Sequence, residues 1–97
     1  MLYEWDPSKA AGNLRKHKVS FTDAASVFLD PLALTFADIN SLNVEEREIT
    51  IGFSLRQGVL FVAHCGRGDR IRIISARKAT RKERFQYEKN IREERQR

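Results

Sequence analysis

The sequence has one cysteine, two prolines, one tryptophan and no long apolar run. The single thiol, Cys65, excludes an intrachain disulfide and suits a reducing compartment. Flanked by His64 and Gly66 at an expected strand end, Cys65 reads either as a catalytic thiol or as the small buried hydrophobe that free cysteines usually are. No stretch approaches the roughly 20 apolar residues that a membrane span needs. The opening Met1-Leu2-Tyr3-Glu4-Trp5-Asp6 lacks the basic region and apolar core of a signal peptide. A cytoplasmic protein without a membrane partner is therefore expected. His17 and His64 are far apart and no second cysteine accompanies them, so no metal-ligand spacing appears. A glycine-rich phosphate loop, a nucleophile elbow and a hydrolase triad are also lacking, and no cofactor is expected.

Basic residues are present, and they are unevenly placed. The 97 residues suffice for one domain, taken as 1–97. The formal net charge is +5. Residues 20–66 carry Arg47 and Arg56 against six acids, whereas residues 67–97 carry twelve lysines and arginines against five acids. Such a polarised field attracts polyanions, namely RNA, DNA or an acidic protein, although a merely solubilising surface has the same composition.

Patterning gives an α+β order of β-α-α-β-β-β-β-α, with helices on one antiparallel sheet. Leu2-Tyr3-Glu4-Trp5 is a short strand. Asp6-Pro7 starts a helix that runs to about His17. Ser20 begins another, whose Phe21, Ala24, Ala25 and Phe28 share one face; Asp30-Pro31 ends it. Residues 32–37 and 46–54 alternate as strands, with Asn40-Ser41-Leu42-Asn43 as a loop and Arg47, Ile49, Ile51 and Phe53 on one face. Val59–Cys65 is nearly all apolar and so belongs at the centre of the sheet. Gly66-Arg67-Gly68-Asp69 reads as a turn and Arg70–Ser75 as the next strand. Thr80 and Glu83 form a capping box for a last helix with only Phe85, Tyr87 and Ile91 to bury. Residues 92–97 are expected to fray or to contact a partner chain.

Chemistry by elimination falls to arginine. Arg67, Arg70, Arg72 and Arg77 occupy one turn, one strand and its exit. Arg70 and Arg72 share a face opposite Ile71 and Ile73. Guanidinium forks match phosphate oxygens two at a time, so such a face suits RNA. RNA cleaves itself when its 2′-hydroxyl loses a proton and the phosphate charge is stabilised, which needs no metal and no covalent nucleophile. The competing reading pairs these arginines with Glu46, Glu48 and Asp69 across the sheet. Trp5 reads as a base-stacking residue or as core beneath the first helix. His17 reads as a proton shuttle or a helix-end cap, and Tyr87 as packing or as a hydroxyl at the site.

Three segments taken together resemble the BrnT toxin family. Trp5-Asp6-Pro7-Ser8-Lys9, Asn13 and Lys16-His17-Lys18-Val19-Ser20-Phe21 follow its W-D-x-x-K-x-x-x-N-x-x-K-H-G-V-S-F pattern. Glu46-Arg47-Glu48-Ile49-Thr50-Ile51-Gly52 is similar to E-R-x-x-x-I-G. Arg72-Ile73-Ile74-Ser75-Ala76-Arg77-Lys78-Ala79, with Glu83-Arg84 and Tyr87, is similar to its R-I-I-S-A-R-x-A ending. Lys18 stands where the pattern has glycine, and His64-Cys65-Gly66 replaces a tyrosine-bearing run. The resemblance implies a RelE-like fold, metal-independent cleavage of mRNA that arrests translation, and neutralisation by a BrnA-type antitoxin, through which alone operator DNA is reached. It carries functional roles onto Trp5, Lys9, His17, Arg47, Arg67 and Arg77, with Glu46 or Glu83 as a base. A non-catalytic basic module that holds nucleic acid or a partner, including a degenerate toxin, is the alternative.

Overall fold

The computed structural model describes residues 2–39 and 46–96. The loop expected over 40–43 lies outside them. Strand β1 (Leu2–Glu4) leads into α1 (Pro7–His17). The Asp6 carboxylate accepts from the N–H groups of Ser8 at 2.8 Å and Lys9 at 3.4 Å, which starts the helix as the sequence predicts. Arg15, Lys16 and His17 in the last turn meet the negative end of the helix dipole. The helix stops at Lys18, whose φ of 61° and ψ of 26° are left-handed. That conformation costs a residue with a Cβ on the order of 1 kcal/mol, which is the physical reason for glycine in the pattern this segment resembles.

Ser20 caps α2 (Phe21–Ala25) by accepting from Asp23 N–H at 3.0 Å, and the chain tightens into a 3-10 turn over Ser26–Leu29. Strands β2 (Leu34–Ala37), β3 (Arg47–Ser54), β4 (Gly58–Arg67) and β5 (Arg70–Lys78) form an antiparallel meander with β4 at the centre. Strand β1 adds to the outer side of β5 in parallel, Leu2 beside Arg70 and Glu4 beside Arg72. The sheet is thus mixed, in the order β1-β5-β4-β3-β2, and not wholly antiparallel as expected. A three-residue strand carries no local signal of its direction; it pairs where the edge of β5 has donors and acceptors to satisfy. The expected turn at 66–69 shrinks to Gly68-Asp69, with Arg67 inside β4 and Gly68 at φ 65°. Glycine with positive φ at the first position of a two-residue hairpin loop gives the tight primed turn.

Helices cover both faces of the sheet. On one, Val19, Phe21, Ala24 and Val27 pack against Leu60, Val62, Ile73 and Ala76. Gly52 lets the 3-10 turn lie directly on β3: a Cβ there would sit 3.0 Å from Ala33 Cβ and 3.1 Å from Val27 Cβ. On the other face lies α3 (Arg81–Arg95), its capping box complete at Thr80 and Glu83. Tyr87 and Ile91 pack against Ile49, Ile51 and Ala63. Tyr87 donates its hydroxyl to Asp30, and Asn90 donates to Leu32 O at 3.3 Å. Phe85 corrects an expectation: it is 58% exposed, because the two hydrogen-bonding residues set the helix's rotation and turn Phe85 outward.

The first layer is held by a buried amide. Asn13 donates to Val19 O at 2.9 Å and to Ala76 O at 2.8 Å, and accepts from Ala76 N–H at 3.1 Å. Asn13→Ala leaves three backbone groups without partners in an apolar layer. It is expected to cost about 3 kcal/mol and lower Tm by more than about 10 °C, read by thermal melting. Lys18→Gly should act oppositely, with a gain of about 1 kcal/mol; an unchanged or lower Tm would contradict the strain assigned to Lys18.

Candidate functional site

Along β5, strict alternation would place Arg77 on the face of Ile71 and Ile73, away from Arg70 and Arg72. The observed register breaks that parity. Ala63 pairs with Ser75 but His64 pairs with Ile73, so Ile74 is an extra residue without an opposite number. This β-bulge shifts every residue before it by one position relative to β4. Arg72 then pairs with Cys65, and Arg70 with Arg67. All three arginines of β5 consequently share the α3 face with Arg67 of β4 and Arg47 of β3, which pairs with Cys65.

The face is ordered in rows across the strands. One row runs Arg47, Cys65, Arg72, Glu4; the next, toward the hairpin, holds Arg67 and Arg70. Neighbouring strands are about 4.8 Å apart and same-face residues about 6.8 Å apart along a strand, so these four guanidiniums branch from a patch about 10 Å wide. Two rows in the other direction lies Arg77, opposite Phe61. Ala63 and Ser75 floor the space between. Cys65 is 2% exposed beneath this face.

Arg72 and Arg77 each pair with a carboxylate. Arg72 Nη1 donates to Glu4 Oε2 at 3.1 Å. Arg77 makes a fork-to-fork pair with Glu83, Nη1 to Oε1 at 2.8 Å and Nη2 to Oε2 at 2.9 Å, and lies 3.9 Å over the Phe61 ring. Glu83 also accepts from Thr80 N–H at 2.8 Å. The hydrogen bond from Arg77 holds the Glu83 carboxyl below the usual carboxylate range, against a smaller opposing effect of burial and with help from Thr80. The same bond pushes Arg77 further up. Glu83 therefore stays ionised and fixes the plane of the Arg77 guanidinium. The partners of Arg72 and Arg77 are Glu4 and Glu83 in place of the expected Glu46, Glu48 or Asp69. Glu4 reaches Arg72 through the parallel pairing of β1, and Glu83 reaches Arg77 through the docking of α3.

Arg77 also heads an open groove of about 780 Å³ between the first turns of α3 and strands β2–β4, lined among others by Phe36, Ile49, Phe61, Lys82 and Gln86. Sequence reading missed these neighbours. The alternation of Leu34 and Phe36 was visible, but which face it addressed was not.

Trp5, Lys9 and His17 lie elsewhere. Trp5 packs into the layer across the sheet, edge-on to Phe21 with ring centroids 5.9 Å apart. Lys9 is exposed on α1, and His17 is half-buried in its last turn. The single constellation expected from sequence thus divides between two faces. His64 faces the α1 layer as well. It is buried, with Nε2 2.7 Å from Thr50 Oγ1, which is 2.8 Å from Thr35 Oγ1, and its ring meets Phe28 edge-on at 4.8 Å. Among the described residues, no three His, Cys, Asp or Glu side chains gather where they could hold a metal ion, and no helix is long and apolar enough to cross a membrane.

Comparison with known proteins places this geometry. A family model described as ribonuclease toxin, BrnT, of type II toxin-antitoxin system matches residues 5–83. The crystal structure of the Brucella abortus ribonuclease toxin BrnT, at 1.1 Å resolution, is similar with a TM-score of 0.65 and 25% sequence identity. The match covers 84% of this chain and 100% of that one. No curated protein matches the sequence.

Burial lowers the His64 pKa below its ordinary 6.5, and nearby Glu48 opposes the shift only in part. The unfolded chain therefore takes up this proton before the native one does. Stability assigned to His64 is complete above about pH 6.5 and is lost as the pH falls through the lower native value. Melting should show a larger drop in Tm between pH 7.5 and 5 for the native protein than for His64→Gln. Parallel curves would remove His64 as the cause.

Proposed function

The chain belongs to the BrnT family of ribonuclease toxins of type II toxin–antitoxin systems, and from that membership we propose that it is a metal-independent endoribonuclease. Acting in the cytoplasm, it cleaves mRNA on the arginine-bearing face of a RelE-like sheet and arrests translation until a BrnA-type antitoxin neutralises it. Operator DNA is reached only through that antitoxin. The observation that carries the reading is the bulge at Ile74, which puts Arg77 on the same side of the sheet as Arg70 and Arg72 of its own strand and Arg47 and Arg67 of the neighbouring ones.

Arg67, Arg70 and Arg72 attract and align the phosphodiester backbone, as clustered cations do for any polyanion. Arg77 stabilises charge on the scissile phosphate oxygens as the adjacent 2′-hydroxyl gives its proton to water and its oxygen bonds to phosphorus, while Arg47 and Arg67, two and three rows away on the same face, hold neighbouring phosphates. The 5′-oxygen leaves and takes up a proton, giving a 2′,3′-cyclic phosphate and a free 5′-hydroxyl. Glu83, with both oxygens committed, orients Arg77. Trp5, Lys9 and His17 stand on the other layer and take no part in this step.

One observation favours a second reading. Both terminal nitrogens of Arg77 already donate to Glu83, an arrangement that equally suits a degenerate toxin or a binding module in which the arginine locks α3 to the sheet. The two readings separate by incubating purified protein with RNA in EDTA. We expect cleavage with cyclic-phosphate ends, none on 2′-deoxy substrate, and a rate at least ~100-fold lower in Arg77→Ala or Arg67→Ala. Both variants should melt close to wild type, since a partly exposed ion pair contributes about 1 kcal/mol or less. Intact RNA that is nevertheless retained by the protein would establish the binding module.

A further inference from the structure

We propose that the groove between α3 and strands β2–β4 is a nucleobase subsite, in which Phe36 supplies the stacking face and Gln86 the hydrogen-bonding edge for the base next to the phosphate at Arg77. The proposal rests on the ribonuclease reading of Arg77 and adds to it where a base is held and read.

The walls of the groove have the chemistry of a base pocket. Phe36 stands on β2 with 44% of its surface exposed, and Ile49 and Phe61 form an apolar floor beside it. An aromatic face of this kind offers sequence-tolerant stacking to any base. The opposite wall is polar. Lys82 and Gln86 are one turn apart on α3, so they project from the same side of the helix into the groove. The Gln86 amide is both donor and acceptor, which is what the Watson–Crick edge of an unpaired base requires.

Charge sets the direction in which a strand would lie. Arg77 and Lys82 both line the groove, and the other arginines of the same face begin two rows further along β5, beyond Ser75. A backbone running over Arg72 and Arg77 would thus turn one base inward onto Phe36. At about 780 Å³ the groove falls in the range of small-ligand pockets, roughly 300–1,000 Å³. It is also open enough to admit a base from a strand.

The test uses the full chain with two probes, a cleavable RNA oligonucleotide and a 2′-O-methyl trinucleotide that resists 2′-hydroxyl attack. In cleavage, Phe36→Ala should raise KM about tenfold, with a smaller change in kcat. Phe36→Trp should restore KM, and Phe36→Leu, which keeps the apolar cover without the π face, should not. Gln86→Ala should alter the base preference at cleavage sites. In NMR titration, the trinucleotide should shift the Phe36 ring and Gln86 amide resonances, with weaker affinity in Phe36→Ala. A folded Phe36→Ala enzyme with native KM and native sites, alongside inactive Arg77→Ala, would overturn the subsite and leave the ribonuclease standing. If the native protein cuts nothing, the titration decides: shifts at Phe36 and Gln86 keep the base subsite in a non-cutting RNA binder, and their absence ends it. Protection of the groove by a protein partner, with no response to the trinucleotide, also counts against it.

Discussion

Beyond Arg72 the outer edge of β5 has no described strand beside it, and the carboxamide of Asn13 takes that place. Its oxygen accepts from Ala76 N–H and its nitrogen donates to Ala76 O, the two bonds a neighbouring strand would make. The third bond, to Val19 O, ties in the chain between α1 and α2. One buried side chain therefore joins three elements that are local to nothing but each other. Because buried backbone groups must be paired, the position of α1 on the sheet and the line of β5 are settled together. Arg77, the next residue, points from the opposite face of the strand so aligned.

The arginine face depends on that line and on one irregularity within it. A regular β5 would have split its arginines between a helix-packed core and the α3 side. An Arg77 turned toward Val19 and Phe21 would be a buried cation among apolar groups, which is costly without a partner. The extra residue at Ile74 resolves the conflict, giving Ile73 and Ala76 to one core and Arg70, Arg72 and Arg77 to the other side. Bulges commonly re-aim side chains beside functional sites.

The two carboxylate partners play unequal parts. The bond between Glu4 and Arg72 links the edge strand to its neighbour, and the pair is about 28% exposed on each side, so water weakens it. Glu83 is more enclosed and makes two parallel bonds while also closing the cap of α3. The start of α3, the plane of the Arg77 guanidinium and the shape of the groove are consequently one unit. A capping box read from sequence as a helix signal is also a device that positions a cation.

Much of the fold was legible in local pattern. Asp6-Pro7, Ser20 and Thr80 with Glu83 start their helices where the residues say, because caps satisfy N–H groups only a few residues away. The apolar run of residues 59–65 did mark the central strand, since a strand covered on both faces has no side that calls for polar residues. The motifs around Trp5, Asn13, Arg47 and Arg77 were sufficient to indicate the family. The parallel direction of β1, the outward turn of Phe85, the separation of Trp5, Lys9 and His17 from the arginines, and the choice of Glu4 and Glu83 as partners came only with the tertiary structure. Each of these is decided by which distant backbone or side chain completes a hydrogen bond or covers an apolar face. Periodicity along a chain encodes its own faces but not the neighbour that will lie against them.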